Sequence, residues 1–403
     1  MKLNQARPFF LDGKRMHKIS SVEALHIGQF LYARIRTEAG YTGYGEAGSW
    51  GHIEAAKAAL EKFGHYLVGK DANQIEYHWN VMQRFSHFRG TAVNAAVSAI
   101  DIALWDLLGK RLQTPVWQLL GGQYRNKLRV YGHVYAESLE EVLKECRRLR
   151  AEGFTAVGHI NPFLDEPEGE TYFRSHVGKL SDAKERVMAF REAVGPDVDL
   201  LIEMHRRLNP AEAIAIGNLL EPAAPMWLED PLRPEFYAQT TTVGQSISVP
   251  IATGERFSTP AEFQMQLAGG GVRYARVSVC VCGGITGARK VAALAEAQNI
   301  DIAPHNPLSP ISLAACMQVA ASSPNFAIQE YPTGFENLVL KSGKTLLGAD
   351  LVDHYPVPES GFITVSDRPG IGIELRENAQ SSRPPIFRPV SMRMSADGAP
   401  LDQ

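Results

Sequence analysis

A chain of 403 residues, 45% hydrophobic and 21% charged, has the composition of an ordinary folded protein. Lys and Arg number 41 against 44 Asp and Glu, a formal charge of −3, and no basic tract stands out, which argues against nucleic acid as a partner. No apolar run approaches the roughly 20 residues of a membrane span, and MKLNQARPFF lacks the apolar core of a signal peptide, so neither membrane nor secretion is expected. Four cysteines, Cys146, Cys280, Cys282 and Cys316, are too sparse for a disulfide framework. Cys280 and Cys282 form C-x-C without a second pair, so small buried thiols in a reducing, cytoplasmic compartment are expected.

Residues 22–50 mix β-branched and aromatic residues with glycine punctuation, which predicts short strands in a meander. Helical texture follows from about His52 to Gly109. Val93, Val97, Ile100, Leu104 and Leu107 recur at helical spacing there, and Gly109 is placed to end that helix. The first part therefore reads as an α+β module. From about residue 128, short apolar runs alternate with helical stretches. LRVYGHVYA, FTAVGHI, VDLLIEM, PMWLED, PIATGE, YARVSVCV, IDIAPH and FAIQEY supply eight strand candidates, an alternation that predicts parallel strands with crossover helices.

The spacing agrees. Glu203, Glu229 and Glu255 fall at equal intervals of 26 residues, and His305 and Glu330 lie 25 apart. One strand–loop–helix–loop unit of a (β/α)8, TIM-like barrel has about that length. The stretch 161–181 reads as an insertion, either an active-site cover or a surface excursion. After residue 340 the alternation breaks, and HYPVPESGFITVSDRPGIGIEL reads as a strand-rich return segment packing against the N-terminal module. The Ser-, Arg- and Pro-rich last 25 or so residues are expected to dock on the surface or fray.

Three consecutive runs, LLIEMH, MWLED and IATGER, end in a carboxylate. A buried glutamate without a partner is costly. In a barrel all strands aim their C-terminal ends at one face, so Glu203, Glu229 and Glu255 would converge and repel one another unless a cation neutralised them. Any one acidic strand end alone reads as a structural ion pair; three at even spacing point to a shared metal, and three hard oxygen donors suit Mg2+. His205 stands two residues past Glu203, on the same face of an extended strand, and His305 ends a later strand on the far side of the barrel. The two read as an acid/base pair beside the metal, or singly as hydrogen-bonded core histidines. Glu330 is read as a hydrogen-bond partner for a substrate oxygen or, equally, as half of a salt bridge to a barrel arginine.

These residues sit in segments that resemble the enolase superfamily, in its mandelate-racemase-like branch, and within it sugar-acid dehydratases of the galactonate and mannonate type. The matching segments are GYTGYGEAG, AVSAIDIALWDLLGKRLQTPVWQLLGG, WLEDP, ATGER, CGGITGARKVAALAE, APHNPLSPISLAACMQ, FAIQEYP and PGIGIEL, spanning nearly the whole chain. The resemblance implies an N-terminal α+β capping domain (1–127), a modified (β/α) barrel (128–340) and a C-terminal segment (341–403) that completes the cap. It implies Mg2+ on Glu203, Glu229 and Glu255, the first being one methylene longer than the Asp usual there. It implies that His205 in IEMHRRL protonates the departing hydroxyl, that His305 is the base, and that Glu330 hydrogen-bonds the substrate carboxylate. It further implies a small acid-sugar substrate and an even-numbered homo-oligomer. Asn161, Arg256, Trp50 and Arg89 are candidate substrate contacts.

Two departures from the family pattern stand out. Ser278 occupies the place where many members carry an Asp that holds the base histidine; a serine can hold the ring but supplies no charge, so a less basic His305 or another base is expected. Gly158, His159 and Ile160 stand where relatives place lysines, which excludes a lysine base on the second strand. Mannonate-type relatives use a tyrosine from the second-strand loop, and Tyr172 lies in that loop here. The expected chemistry is abstraction of the α-proton of a hexonate-like acid, metal stabilisation of the developing enediolate, and acid-assisted loss of the β-hydroxyl, giving a 2-keto-3-deoxy acid. The alternatives are a racemase or epimerase of a 2-hydroxy acid on the same site, or a low-activity metal-binding homologue with a sensing role.

Overall fold

The computed structural model describes residues 17–136, 138–163, 174–333, 335–336, 339–340, 345–390 and 392–401. Ile19–Ile27 (β1), Phe30–Thr37 (β2) and Thr42–Ala47 (β3) form the antiparallel meander expected from the sequence. Ile53–Leu67 (α1), Ile75–Arg84 (α2) and Thr91–Leu112 (α3) follow. Helix α3 lies directly on β3. A Cβ at Gly45 would stand 2.1 Å from the Ala99 carbonyl oxygen, so the glycine is what lets sheet and helix touch.

The expected end of α3 at Gly109 is not observed. The helix runs three residues further and stops where Gln113 turns left-handed. Gly109 serves a different purpose: a Cβ there would lie 2.7 Å from Gly370 Cα, so the residue admits the returning C-terminal chain. Helix α3 is also the one described helix long and apolar enough to cross a membrane, contrary to the expectation of none. In this structure 78% of its most apolar window is buried inside protein.

Eight parallel strands follow: Lys127–His133 (β4), Ala156–Ile160 (β5), Asp199–Glu203 (β6), Trp227–Glu229 (β7), Ile251–Thr253 (β8), Val272–Ala275 (β9), Asp301–Ile302 (β10) and Gln329–Tyr331 (β11). They are hydrogen-bonded in the order β10-β9-β8-β7-β6-β5-β4-β11, and a parallel bridge between Ile302 and Phe326 joins the ends of the path. The intervening helices start where local chemistry demands. Asn209 and Thr259 each cap a helix whose third residue, Glu212 or Glu262, bonds back to the cap, with Pro210 or Pro260 at the first position. Tyr131, Ala156, Leu201, Trp227, Ala252, Ala303 and Ile328 fill the barrel interior and form the floor on which the strand ends stand.

Three further expectations need correction. The run YARVSVCV is a strand only as far as Ala275; the Ser278 carbonyl then accepts from the Val281 and Cys282 N–H groups and turns the chain toward the helix Gly284–Glu296. The insertion ends earlier than 181, because Ser175 caps a helix that already begins at His176. The return segment does not only pack on the N-terminal module. Phe362–Thr364 (β12) pairs antiparallel with Lys127–Arg129 of the first barrel strand, and the cap contact comes after it, where Asp106 accepts from the Ile371 N–H and Lys110 bridges to Glu374.

Candidate metal centre and active site

Strands β6 and β7 end on Glu203 and Glu229, which are direct register partners, and Glu255 follows β8 by two residues. Carboxylate oxygens of the three lie within 4.8 Å of one another. Glu203 and Glu229 are only 1% and 3% exposed. Burial, then repulsion from Glu229 and Glu255, pushes the Glu203 carboxyl well above its ordinary range. Burial raises Glu229 to about 8 even though Arg276 works against it. Glu203 Oε2 is buried and has no hydrogen-bond partner among the described residues. Buried, mutually repelling oxygens with one left unsatisfied are what a divalent cation would relieve, and the all-oxygen donor set fits Mg2+.

The neighbouring charges are arranged around these carboxylates. Arg276, 1% exposed, donates to Glu229 Oε1 (2.5 Å), to Glu330 Oε2 (2.6 Å) and to the Tyr131 hydroxyl (2.9 Å). Trp227 Nε1 donates to the other Glu229 oxygen at 2.9 Å. Arg206 donates to Glu255 Oε1 at 2.8 Å. Burial alone would raise Glu255, but His305, Arg206 and Arg276 outweigh it and hold the carboxyl at about 2. Asp230, raised by burial to about 6, accepts from the Thr253 hydroxyl at 2.6 Å.

His205 is placed beside Glu203, though not by strand alternation. Strand β6 stops at Glu203, and His205 and Arg206 both turn left-handed, with φ of 47° and 62°. The His205 N–H donates to Glu203 Oε1 at 2.7 Å, and its Nε2 lies 4.0 Å from Oε2. Burial, followed by His159 and three arginines, pushes the ring well below its usual range, so it is neutral in the empty protein. His305 faces the same centre from β10's side, with Nε2 3.2 Å from Glu255 Oε2. Burial lowers it too, against the pull of Glu330 and Glu255. Ser278 does not hold that ring: no hydrogen bond joins the two among the described residues, and His305 Nδ1 is buried without a partner.

Glu330 forms the barrel salt bridge that is one of its two readings. Its Oε2 accepts from Arg276 and from the Asn306 N–H (2.7 Å), and its Oε1 lies 2.9 Å from His133 Nε2. Asn161 follows β5, with Oδ1 accepting from the Phe163 N–H (2.8 Å) and Nδ2 buried and unpartnered. Arg256 is exposed at the rim, close enough to influence His205 and Asp230. Trp50 is 41% exposed beneath the Arg388 guanidinium, and Arg89 is exposed in the turn before α3. Tyr172 lies outside the described residues.

Residues to which sequence reasoning gave no role complete the site. His133 Nδ1 and the Tyr135 hydroxyl are 3.0 Å apart, linking Tyr135 through His133 to Glu330. His159 stacks on His133 (centroids 5.2 Å) and meets His205 edge-on at 4.7 Å. The period-two pattern Tyr131, His133, Tyr135 in LRVYGHVYA was the available signal, since alternate residues of a strand share a face.

Comparison with known proteins bears on this constellation. Residues 12–121 match the model of the mandelate racemase / muconate lactonizing enzyme N-terminal domain, and residues 141–379 match the enolase C-terminal domain-like model. A protein named D-galactonate dehydratase from Variovorax paradoxus (strain S110) is 32% identical over 385 residues, covering 92% of this chain and 96% of that protein. A protein of the same name from Cronobacter sakazakii (strain ATCC BAA-894) is 33% identical, with 88% and 91% covered. Among solved structures, an enolase from Agrobacterium radiobacter bound to sodium and L-malate superposes with a TM-score of 0.88 at 29% identity, over 96% of this chain and 100% of that one. An enolase from Pantoea ananatis with bound D-gluconate and magnesium gives 0.85 at 27%, with the same coverage.

Proposed function

The chain belongs to the mandelate racemase / muconate lactonizing enzyme family of the enolase superfamily and is a dehydratase of its acid-sugar branch, and from that premise we propose a Mg2+-dependent conversion of a hexonate-like acid to its 2-keto-3-deoxy acid. The observation that carries this reading is the trio Glu203, Glu229 and Glu255, the first two buried and the third half-buried, at the ends of consecutive strands with their oxygens within 4.8 Å, between a histidine on either side. Those three residues would hold the cation, which when bound supplies Lewis acidity to the substrate carboxylate as the α-proton becomes acidic.

The chain's own groups do the proton work. His305, neutral by burial, accepts the α-proton at Nε2, and Glu255 beside that atom stabilises the imidazolium that results. His205 delivers a proton to the β-hydroxyl, which departs as water. Burial and the neighbouring arginines disfavour the charged ring, and an anionic acid sugar beside it works against them in favour of the imidazolium. The enol then takes a solvent proton at C3. Glu330 and Arg276 hold Glu229 in place beneath the reaction rather than touching it.

A panel of hexonates beginning with D-galactonate and D-gluconate, incubated with Mg2+ and scored for 2-keto acid as the semicarbazone, tests the proposal. Turnover of at least one member that stops on chelation is expected. Binding and thermal stabilisation by a member of the panel with no keto acid formed would refute it.

A further inference from the structure

Strand β5 brings to the site a side chain that the dehydration scheme leaves unused. His159 has a left-handed backbone (φ 54°), at a place where the β5–β6 register slips between Val157 and Ile160. That twist turns its ring into the space between His133, Tyr135 and His205. A histidine in that conformation is uncommon, and the site holds it there. Among the described residues, neither ring nitrogen of His159 nor of His205 makes a hydrogen bond.

A nitrogen of His159, a nitrogen of His205 and a carboxylate oxygen of Glu203 lie within 4.8 Å of one another. The Glu203 oxygen facing His205 Nε2 at 4.0 Å is the buried one without a hydrogen-bond partner among the described residues, on a side chain 1% exposed. Two imidazoles and one carboxylate differ in kind from the three carboxylates nearby. Mg2+ prefers the all-oxygen set, while Zn2+ and ions like it prefer imidazole nitrogen. The two sets share Glu203 and otherwise draw on different strands.

We propose that His159, His205 and Glu203 form a second metal site, selective for Zn2+-class ions over Mg2+, and that filling it switches the enzyme off. An ion on His205 occupies the lone pair with which that ring must pick up its proton. The inhibitory effect rests on the role proposed for His205; the site itself does not. Loss of one imidazole ligand is expected to weaken such a site by at least about tenfold.

The test is calorimetry with Zn2+ on the full chain held in saturating Mg2+, together with the visible spectrum of added Co2+ as a probe of nitrogen ligation. One equivalent of Zn2+ is expected to bind without displacing Mg2+, and Co2+ is expected to show the stronger d–d bands of a low-coordinate, nitrogen-ligated ion. His159→Ala is expected to lose Zn2+ affinity by about tenfold or more while Mg2+ affinity changes less than about twofold. His159→Asn suits the left-handed backbone and guards against misfolding; it is expected to show the same loss. Zn2+ that binds only by displacing Mg2+, or with equal affinity in all three proteins, overturns the proposal. His159-dependent Zn2+ binding by a chain that dehydrates no acid sugar would support the site while removing the proposed function.

Discussion

Glu203 and Glu229 face each other as register partners across β6 and β7, both nearly inaccessible and both pushed toward protonation by burial. Two buried carboxylates so placed oppose folding and favour a cation. Replacing Glu203 by Gln is therefore expected to raise the melting temperature of the metal-free protein by a few degrees and to lower Mg2+ affinity by on the order of 100-fold. Thermal melts with and without Mg2+ check both signs at once. Unchanged Mg2+ stabilisation in the variant would remove Glu203 from the ligand set.

The same shifts set a pH dependence. Glu229 titrates at about 8 and Asp230 at about 6 in the folded, metal-free chain, each raised first by burial from 4.5 and 3.8. Between the ordinary and raised values the folded state binds more protons than the unfolded one. The contribution of these two carboxylates to the stability of the metal-free protein should therefore fall as pH rises from about 4 to about 8. Mg2+ must displace those protons, so its affinity should climb across the upper part of that interval. Calorimetry in two buffers of different ionisation enthalpy should show proton release near pH 7 that shrinks as pH rises past the Glu229 value of about 8.

Arg276 is enclosed by Glu229, Glu330 and Tyr131. Removing one partner of a buried pair strands the other charge, a cost of about 3–5 kcal/mol. Arg276→Met is expected to lose about that much in denaturant unfolding. The double variant Arg276→Met/Glu330→Gln is expected to recover part of it, because one stranded carboxylate is gone.

Among the described residues Ser278 makes no hydrogen bond to the His305 ring, so its conversion to Ala is expected to leave the pH profile of kcat/KM in place, with any shift below about 0.3 unit, small against the spread of about 1 unit common among histidines. A larger shift would mean that the hydroxyl does tune the base.

How much of this was legible in the sequence depends on what each residue's position rests on. The strand-end glutamates could be found because a barrel repeats its units at nearly constant length, and Glu203, Glu229 and Glu255 keep that beat. Arg276 could not be singled out: it stands one residue past β9, inside a run that reads as continuous strand, and its partners come from β7 and β11, far away in sequence. His159 was noticed only as a missing lysine, since a left-handed residue at a strand end breaks the alternation from which facing is inferred. Gly109 read as a helix stop because glycine so often is one; the close approach of Gly370 that demands it is a tertiary contact. The place of Ser278 opposite His305 came from family pattern alone, and its carbonyl instead begins the turn toward the next helix.

The most direct test of dehydration is proton NMR of a turned-over hexonate in D2O with the Mg2+-loaded enzyme. A 2-keto-3-deoxy acid carrying one solvent deuteron at C3 is the expected product. Recovered substrate or its epimer labelled at Cα, with no keto acid formed, would contradict it and establish the racemase chemistry instead.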